Sequence, residues 1–118
     1  PISIYDLDVA KKYILVFWSS SCSHCLQEIP QLQVHLKSLN NPDYKVIAIG
    51  LEDDTYLWEK EIAKYPEFMH VLGMGKWQNK IVNSYNVNAT PTYFILDSEK
   101  KILAKPYDIS ALKEYLNK

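Results

Sequence analysis

Tyr13-Ile14-Leu15-Val16-Phe17-Trp18-Ser19-Ser20-Ser21-Cys22-Ser23-His24-Cys25 is the stretch that decides how the rest of the chain reads. Its first six residues are β-branched, aromatic or aliphatic with no polar break, the pattern of a short strand buried on both faces. The serine run ends that strand. Beyond it, Leu26, Ile29, Leu32, Leu36 and Leu39 recur every three or four residues, giving one apolar stripe on a helix from about Cys22 to Leu39. Pro30 lies inside this helix without the N–H that would bond the Leu26 carbonyl, so a kink is expected there. Two cysteines therefore stand where a buried strand hands over to a helix.

Outward from this core, Asn40-Asn41-Pro42-Asp43 reads as a turn and Tyr44 to Leu51 as a second buried strand. Glu52-Asp53-Asp54 supplies acidic residues for the start of a helix, with Trp58, Ile62 and Tyr65 on one face and Pro66 closing it. Glu67 to Lys76 reads as loop. Trp77, Ile81 and Tyr85 mark a short helix, and Tyr93 to Leu96 a third strand. Asp97 to Lys100 forms a turn into a fourth strand over Lys101 to Lys105. Asp108 caps a last helix bearing Ile109, Leu112 and Leu116. Pro1 to Asp6 adds an edge strand. Strands separated by helices imply right-handed parallel crossovers, while the last two strands, joined by a turn, are antiparallel. The expected fold is α/β, a three-layer α/β/α sandwich with a mixed central sheet and helices on both faces.

The chain has 118 residues, enough for one domain with a core of its own, and the whole of 1–118 reads as that domain. Hydrophobic residues are 47% and charged residues 23%, which excludes general disorder. The 13 basic residues, all lysine, face 14 acidic ones, so no positive field marks nucleic acid as a partner. No apolar run approaches bilayer-spanning length. Pro1 is not an initiator methionine, and no signal segment precedes the fold, so a mature product or an excised C-terminal part of something longer is expected.

Cys22 and Cys25 are the only cysteines, too few to staple a secreted scaffold and half of what a structural zinc site usually wants. A helix's first turn offers unpaired N–H groups and partial positive charge, both of which stabilise a thiolate. Cys22, at the helix end, is the expected nucleophile. Cys25, one turn on and on the same side, is the expected resolving thiol, and the reaction is attack on a substrate disulfide, a mixed disulfide, then ring closure. His24 lies between them, and as imidazolium or as a donor to sulfur it favours the Cys22 thiolate; the bland alternative is a solvated loop residue. His35 lies ten residues beyond Cys25, about 15 Å by helical rise, too far to share a metal with it. His70 carries no motif and reads as structural or solvated.

Taken together, these residues resemble the thioredoxin superfamily, and within it the TlpA/ResA-like thiol–disulfide oxidoreductases. The resemblance rests on Val16-Phe17-Trp18, the serines, Cys22-Ser23-His24-Cys25 and Leu26-Gln27-Glu28-Ile29-Pro30-Gln31-Leu32. Downstream it rests on Ala89-Thr90-Pro91-Thr92-Tyr93-Phe94-Ile95-Leu96-Asp97. It implies a cis Pro91 that faces the cysteines, excludes metals and docks substrate backbone. It implies a Thr90 that touches the pair, a Glu28 that tunes Cys25 and moves its proton, and a Trp18 in substrate binding, with packing as the plain alternative for Trp18. It also implies no cofactor beyond the Cys22–Cys25 disulfide and no metal. Protein thiols or disulfides and an upstream redox partner are the expected partners of a monomer. Its place is outside the bacterial cytoplasm, periplasmic or held to the membrane by a tether beyond this chain.

The pattern also departs from its relatives. Thioredoxins carry Asp where this chain has Val16, which makes Glu28 the substitute proton acceptor. Ser21 stands where most relatives have Trp, and a histidine between the cysteines is shared with more oxidising relatives. Glu52 or Asp53 offers a second acidic group near the site, with helix capping as the stronger reading. Two other functions stay open: a redox-inert or metal-carrying binding module, and a peroxiredoxin-like peroxidase. In the latter Ser19 would supply the hydroxyl, although Leu15 occupies the proline position.

Overall fold

Strand β1 (Lys12–Trp18) has every residue after Lys12 buried because it runs through the middle of the sheet. It pairs parallel with β2 (Tyr44–Glu52) and antiparallel with β4 (Thr92–Asp97). The computed structural model describes residues 11–40, 43–52, 55–74 and 89–117. Within them the sheet has five strands in the order β3-β2-β1-β4-β5, with β3 at Met69–Met74 and β5 at Ile102–Ala104. Helices α1 (Ser23–Leu39), α2 (Tyr56–Ile62) and α3 (Ile109–Leu116) complete the elements. The architecture is a mixed α/β sandwich whose central sheet is flanked by helices.

Alternation along β1 divides the core. Ile14, Val16 and Trp18 point to the face where α1 packs through Cys25, Ile29 and Leu32, and α3 through Ile109, Leu112 and Leu116. Tyr13, Leu15 and Phe17 point to the other face, with Ile47, Ile49, Leu51, Phe94 and Leu96. Period-two alternation sorts side chains between faces that are both closed to water, so the strand reads as one apolar run.

Helix α1 begins at Cys22, whose extended backbone (φ −95°, ψ 113°) and sulfur make it the N-cap. It ends at Asn40, which adopts φ 49° and bonds its N–H to the Leu36 carbonyl at 3.0 Å, the left-handed cap that asparagine tolerates. Pro30 lies within the helix and does not end it. Helix α3 is capped as expected, with Asp108 Oδ1 accepting from Ala111 N at 2.8 Å. The β4–β5 connection turns on Asp97, whose Oδ1 accepts from the N–H groups of Glu99 and Lys101, both at 2.9 Å.

Three expectations need correction. Met69–Met74 lies in the stretch read as loop, yet it pairs parallel with β2 from Ile47↔Met69 to Glu52↔Met74. Helix α2 ends at Ile62, so Tyr65 lies beyond it and stacks on Phe68 with ring centroids 5.3 Å apart. Glu52 does not start a helix: it is the last residue of β2, and the Thr55 cap of α2 makes no side-chain capping bond. The expected helix around Trp77, Ile81 and Tyr85, the edge strand at Pro1 to Asp6, and Asp53 all lie outside the described residues.

Candidate active site

The site forms where β1 ends and α1 begins. The two sulfurs stand in contrasting surroundings. Cys22 is partly exposed; Cys25 is fully buried, in the core cluster that also holds Val16, Trp18 and Tyr93. Cys22 Sγ accepts from Cys25 N at 3.2 Å and lies 3.6 Å from the Thr90 carbonyl, to which the thiol donates. The Thr90–Pro91 peptide is cis. The loop before β4 thus meets the start of α1, and the structure brings Cys22, Cys25, Thr90 and Pro91 to one place.

These surroundings split the acidities of the pair. Desolvation is the largest influence on Cys22 and opposes ionisation. Hydrogen bonds from the Cys25 thiol, the Thr90 side chain and the backbone N–H groups of Cys25 and His24 together outweigh it, so Cys22 falls below the ordinary thiol value of 9.0. Burial pushes Cys25 far above that value, and its hydrogen bond to Cys22 adds to the rise, while the Ser19 backbone N–H works the other way. Val16, at the position where a buried acid was expected to be missing, is an apolar neighbour in the same core cluster as Cys25. One sulfur gives up its proton more readily than a free thiol, and the other less readily.

The remaining expected site residues divide. His24 is exposed, and the influence it exerts on Cys22 comes from its backbone N–H. Glu28, half-buried in α1, accepts through Oε1 from the Tyr93 hydroxyl at 2.9 Å and from Ile109 N at 3.0 Å. It therefore ties α1 to β4 and satisfies an otherwise unpaired N–H in the first turn of α3. Trp18, expected in substrate binding, is 1% exposed and packed inside the core, where its neighbours are side chains of this chain. The Nε2 of His35 is buried among the described residues without a partner. His70 Nε2 bonds the Tyr65 carbonyl at 2.8 Å, a structural role.

Two residues near the site were not foreseen. Tyr93 lies in β4 next to the cis peptide. Its hydroxyl is held well above the usual phenol range by burial first, then by the charge of Glu28 and its hydrogen bond, and it also feels the charge of Cys25. Ser20 gives both its N–H and its hydroxyl to the Glu52 carboxylate, at 2.9 and 2.6 Å. Among the described residues no group of three or more His, Cys, Asp or Glu side chains could hold a metal ion, and no helix is long and apolar enough to cross a membrane.

Comparison with known proteins agrees with this geometry. The thiol-disulfide oxidoreductase ResA of Bacillus cereus is 27% identical over 104 residues, 88% of this chain and 58% of that protein. The chain thus spans less than two-thirds of the length of this relative. A solved domain from Cytophaga hutchinsonii, named as a possible thiol-disulfide isomerase, is 31% identical, with a TM-score of 0.77 over 97% of this chain and 78% of that one. StoA of Bacillus subtilis is 27% identical, with a TM-score of 0.70 over 91% of this chain and 83% of that one. The cysteine pair at the strand–helix junction, together with these likenesses, supports an oxidoreductase function of thiol–disulfide type in general terms. A thioredoxin-like family model matches residues 10–102, the larger part of the chain, and the chain belongs to that thioredoxin-like family.

Proposed function

We propose that this protein exchanges its Cys22–Cys25 dithiol or disulfide with protein substrates through a mixed disulfide on Cys22. The observation that carries this reading is the asymmetry of the pair: an accessible Cys22 with a lowered pKa beside a buried Cys25 with a raised one. When the reduced protein acts, the Cys22 thiolate attacks one sulfur of the substrate disulfide and the other sulfur leaves as thiolate. Cys25 then gives up its proton, attacks Cys22 Sγ and releases the substrate as dithiol. Two electrons pass from the pair to the substrate, and an upstream dithiol partner restores them. Reversing every step makes the same pair an oxidant.

In this scheme Thr90 and Pro91 dock substrate backbone beside Cys22. His24 favours the Cys22 thiolate through its N–H and, when protonated, through its ring charge. Glu28 acts on Cys25 through Tyr93, whose hydroxyl it holds, and serves as the nearby proton acceptor that Val16 cannot be. The protein works as a monomeric domain outside the bacterial cytoplasm, with thiol proteins as its partners. Support comes from its likeness to the thiol-disulfide oxidoreductase ResA of Bacillus cereus and to the possible thiol-disulfide isomerase of Cytophaga hutchinsonii.

Insulin reduction with dithiothreitol as electron source tests the reading. The wild-type protein is expected to turn over, Cys22→Ser to be inactive, and Cys25→Ser to accumulate a mixed disulfide on Cys22. Full activity in Cys22→Ser would remove the proposal.

A further inference from the structure

Parallel pairing of β1 and β2 sets Trp18 opposite Gly50. Two residues further along each chain, Ser20 and Glu52 meet. Glu52 is 3% exposed and Ser20 5%. Glu52 Oε2 accepts from Ser20 N at 2.9 Å and Oε1 from Ser20 Oγ at 2.6 Å. A buried carboxylate that gives both oxygens to one serine is a strong anchor, because charge-assisted bonds away from water outlast neutral ones. Neighbouring Ser19 is tied to both cysteines. Its carbonyl accepts from Cys22 N at 3.1 Å, and its backbone N–H is among the influences that ease ionisation of Cys25. Ser19 Oγ is itself held, 2.9 Å from Ser21 Oγ and accepting from Ser21 N at 3.2 Å.

We propose that Glu52 is a positioning residue of the exchange reaction: it clamps Ser20 so that the main chain of Ser19 stays aimed at Cys25 and Cys22. Glu52 touches neither sulfur. It works by denying the serine loop freedom at the moment Cys25 must ionise and turn on Cys22. The step most exposed to its loss is the second one, in which the buried thiol becomes the nucleophile. Ionisation of Cys22 is favoured by hydrogen bonds from the Cys25 thiol, the Thr90 side chain and the N–H groups of Cys25 and His24, none of which comes from the serine loop.

This inference rests on Cys22 and Cys25 acting as an exchanging pair, and a two-phase reaction separates the two ideas. Reduced protein is mixed with dithionitrobenzoate. Cys22 thiolate attacks the reagent disulfide and releases one thionitrobenzoate anion. Cys25 then yields its proton, by way of Glu28, to solvent, attacks Cys22 Sγ and releases a second anion, leaving the Cys22–Cys25 disulfide. Glu52→Ala is expected to slow the second phase about tenfold and the first by less than about twofold, as loss of a buried charged hydrogen bond implies. Ser20→Ala, which keeps the backbone link, is expected to slow the second phase about threefold. Glu52→Gln can accept from Ser20 N with its amide oxygen and donate to Ser20 Oγ with its amide nitrogen, so it should restore the wild-type second phase. Folded Glu52→Ala with an unaltered second phase overturns the proposal, as does a Glu52→Gln protein slowed as much as the alanine variant. If Glu52→Ala does not fold, an unaltered second phase in Ser20→Ala overturns it equally. A wild-type protein that shows no second phase at all would instead overturn the exchange reaction itself.

Discussion

Cys22 and Cys25 lie three residues apart, yet they face opposite demands. What separates them is a few atoms: hydrogen bonds from the Cys25 thiol, the Thr90 side chain and the N–H groups of Cys25 and His24 on one sulfur, and burial beside Val16, Trp18 and Tyr93 for the other. Because His24 acts on Cys22 through its main chain, removing its ring leaves that influence in place. Alkylation of Cys22 by iodoacetamide, followed against pH, is expected to rise with a midpoint below 9.0 in the wild-type protein. In His24→Ala the midpoint should climb by less than about one pH unit and stay under the ordinary thiol value. A midpoint at or above 9.0 in the wild type would contradict the hydrogen-bond assignment. The positions of the cysteines were readable from sequence because a strand signal and a helix signal meet at them. The partners of Glu28 and Glu52 were not, since Tyr93, Ile109 and Ser20 lie 65, 81 and 32 residues away in the chain and no local pattern encodes such contacts.

At the scale of elements, Glu28 is the rivet among α1, β4 and α3. Its Oε1 holds the Tyr93 hydroxyl and the first N–H of α3, while Asp108 caps the same helix from its own side. Glu28→Ala leaves a buried tyrosine hydroxyl and a helix N–H to find new partners. The expected cost is about 2 kcal/mol of unfolding free energy in a urea titration; a loss under about 0.5 kcal/mol would mean that water replaces the carboxylate without penalty. Gly50 does comparable work between β2 and α2. A Cβ placed there would run into Trp58 Nε1, so only glycine lets the indole settle on the strand. The elements with strong periodicity, β1, α1, β2, β4 and α3, were legible in the sequence. Strand β3 was not: Met69-His70-Val71-Leu72-Gly73-Met74 carries one β-branched residue and a glycine, and its strand state comes from pairing with β2. Tertiary pairing overrode a weak local preference.

For the whole molecule, the raised thiol of Cys25 and phenol of Tyr93 set an alkaline limit. Above 9.0 the unfolded reduced chain sheds the Cys25 proton while the folded chain keeps it, so folding loses ground as pH rises. Tyr93 adds the same tendency above 10.0. Cys22 has the opposite sign: its contribution is complete above 9.0 and fades as pH falls through its lowered folded value. In the disulfide form neither cysteine titrates, and only the tyrosine effect is left. Denaturant unfolding of both redox forms across this range should therefore show the reduced protein losing stability relative to the oxidised one. The expected slope is about 1.4 kcal/mol per pH unit above the free-thiol value. A constant difference between the two forms would show that Cys25 is less sequestered than its burial implies.

The sulfur of Cys22 is also the N-cap of α1. Chemistry and fastening thus share one atom, and whatever bonds to that sulfur handles the end of a 17-residue helix. A serine hydroxyl is among the best caps, whereas alanine offers no acceptor. If Cys22 carries the proposed exchange, replacing it by serine silences the electron transfer while leaving the helix tied down, but replacing it by alanine unties both. The two inactive variants are different molecules, and only the first is a faithful blank for the working protein.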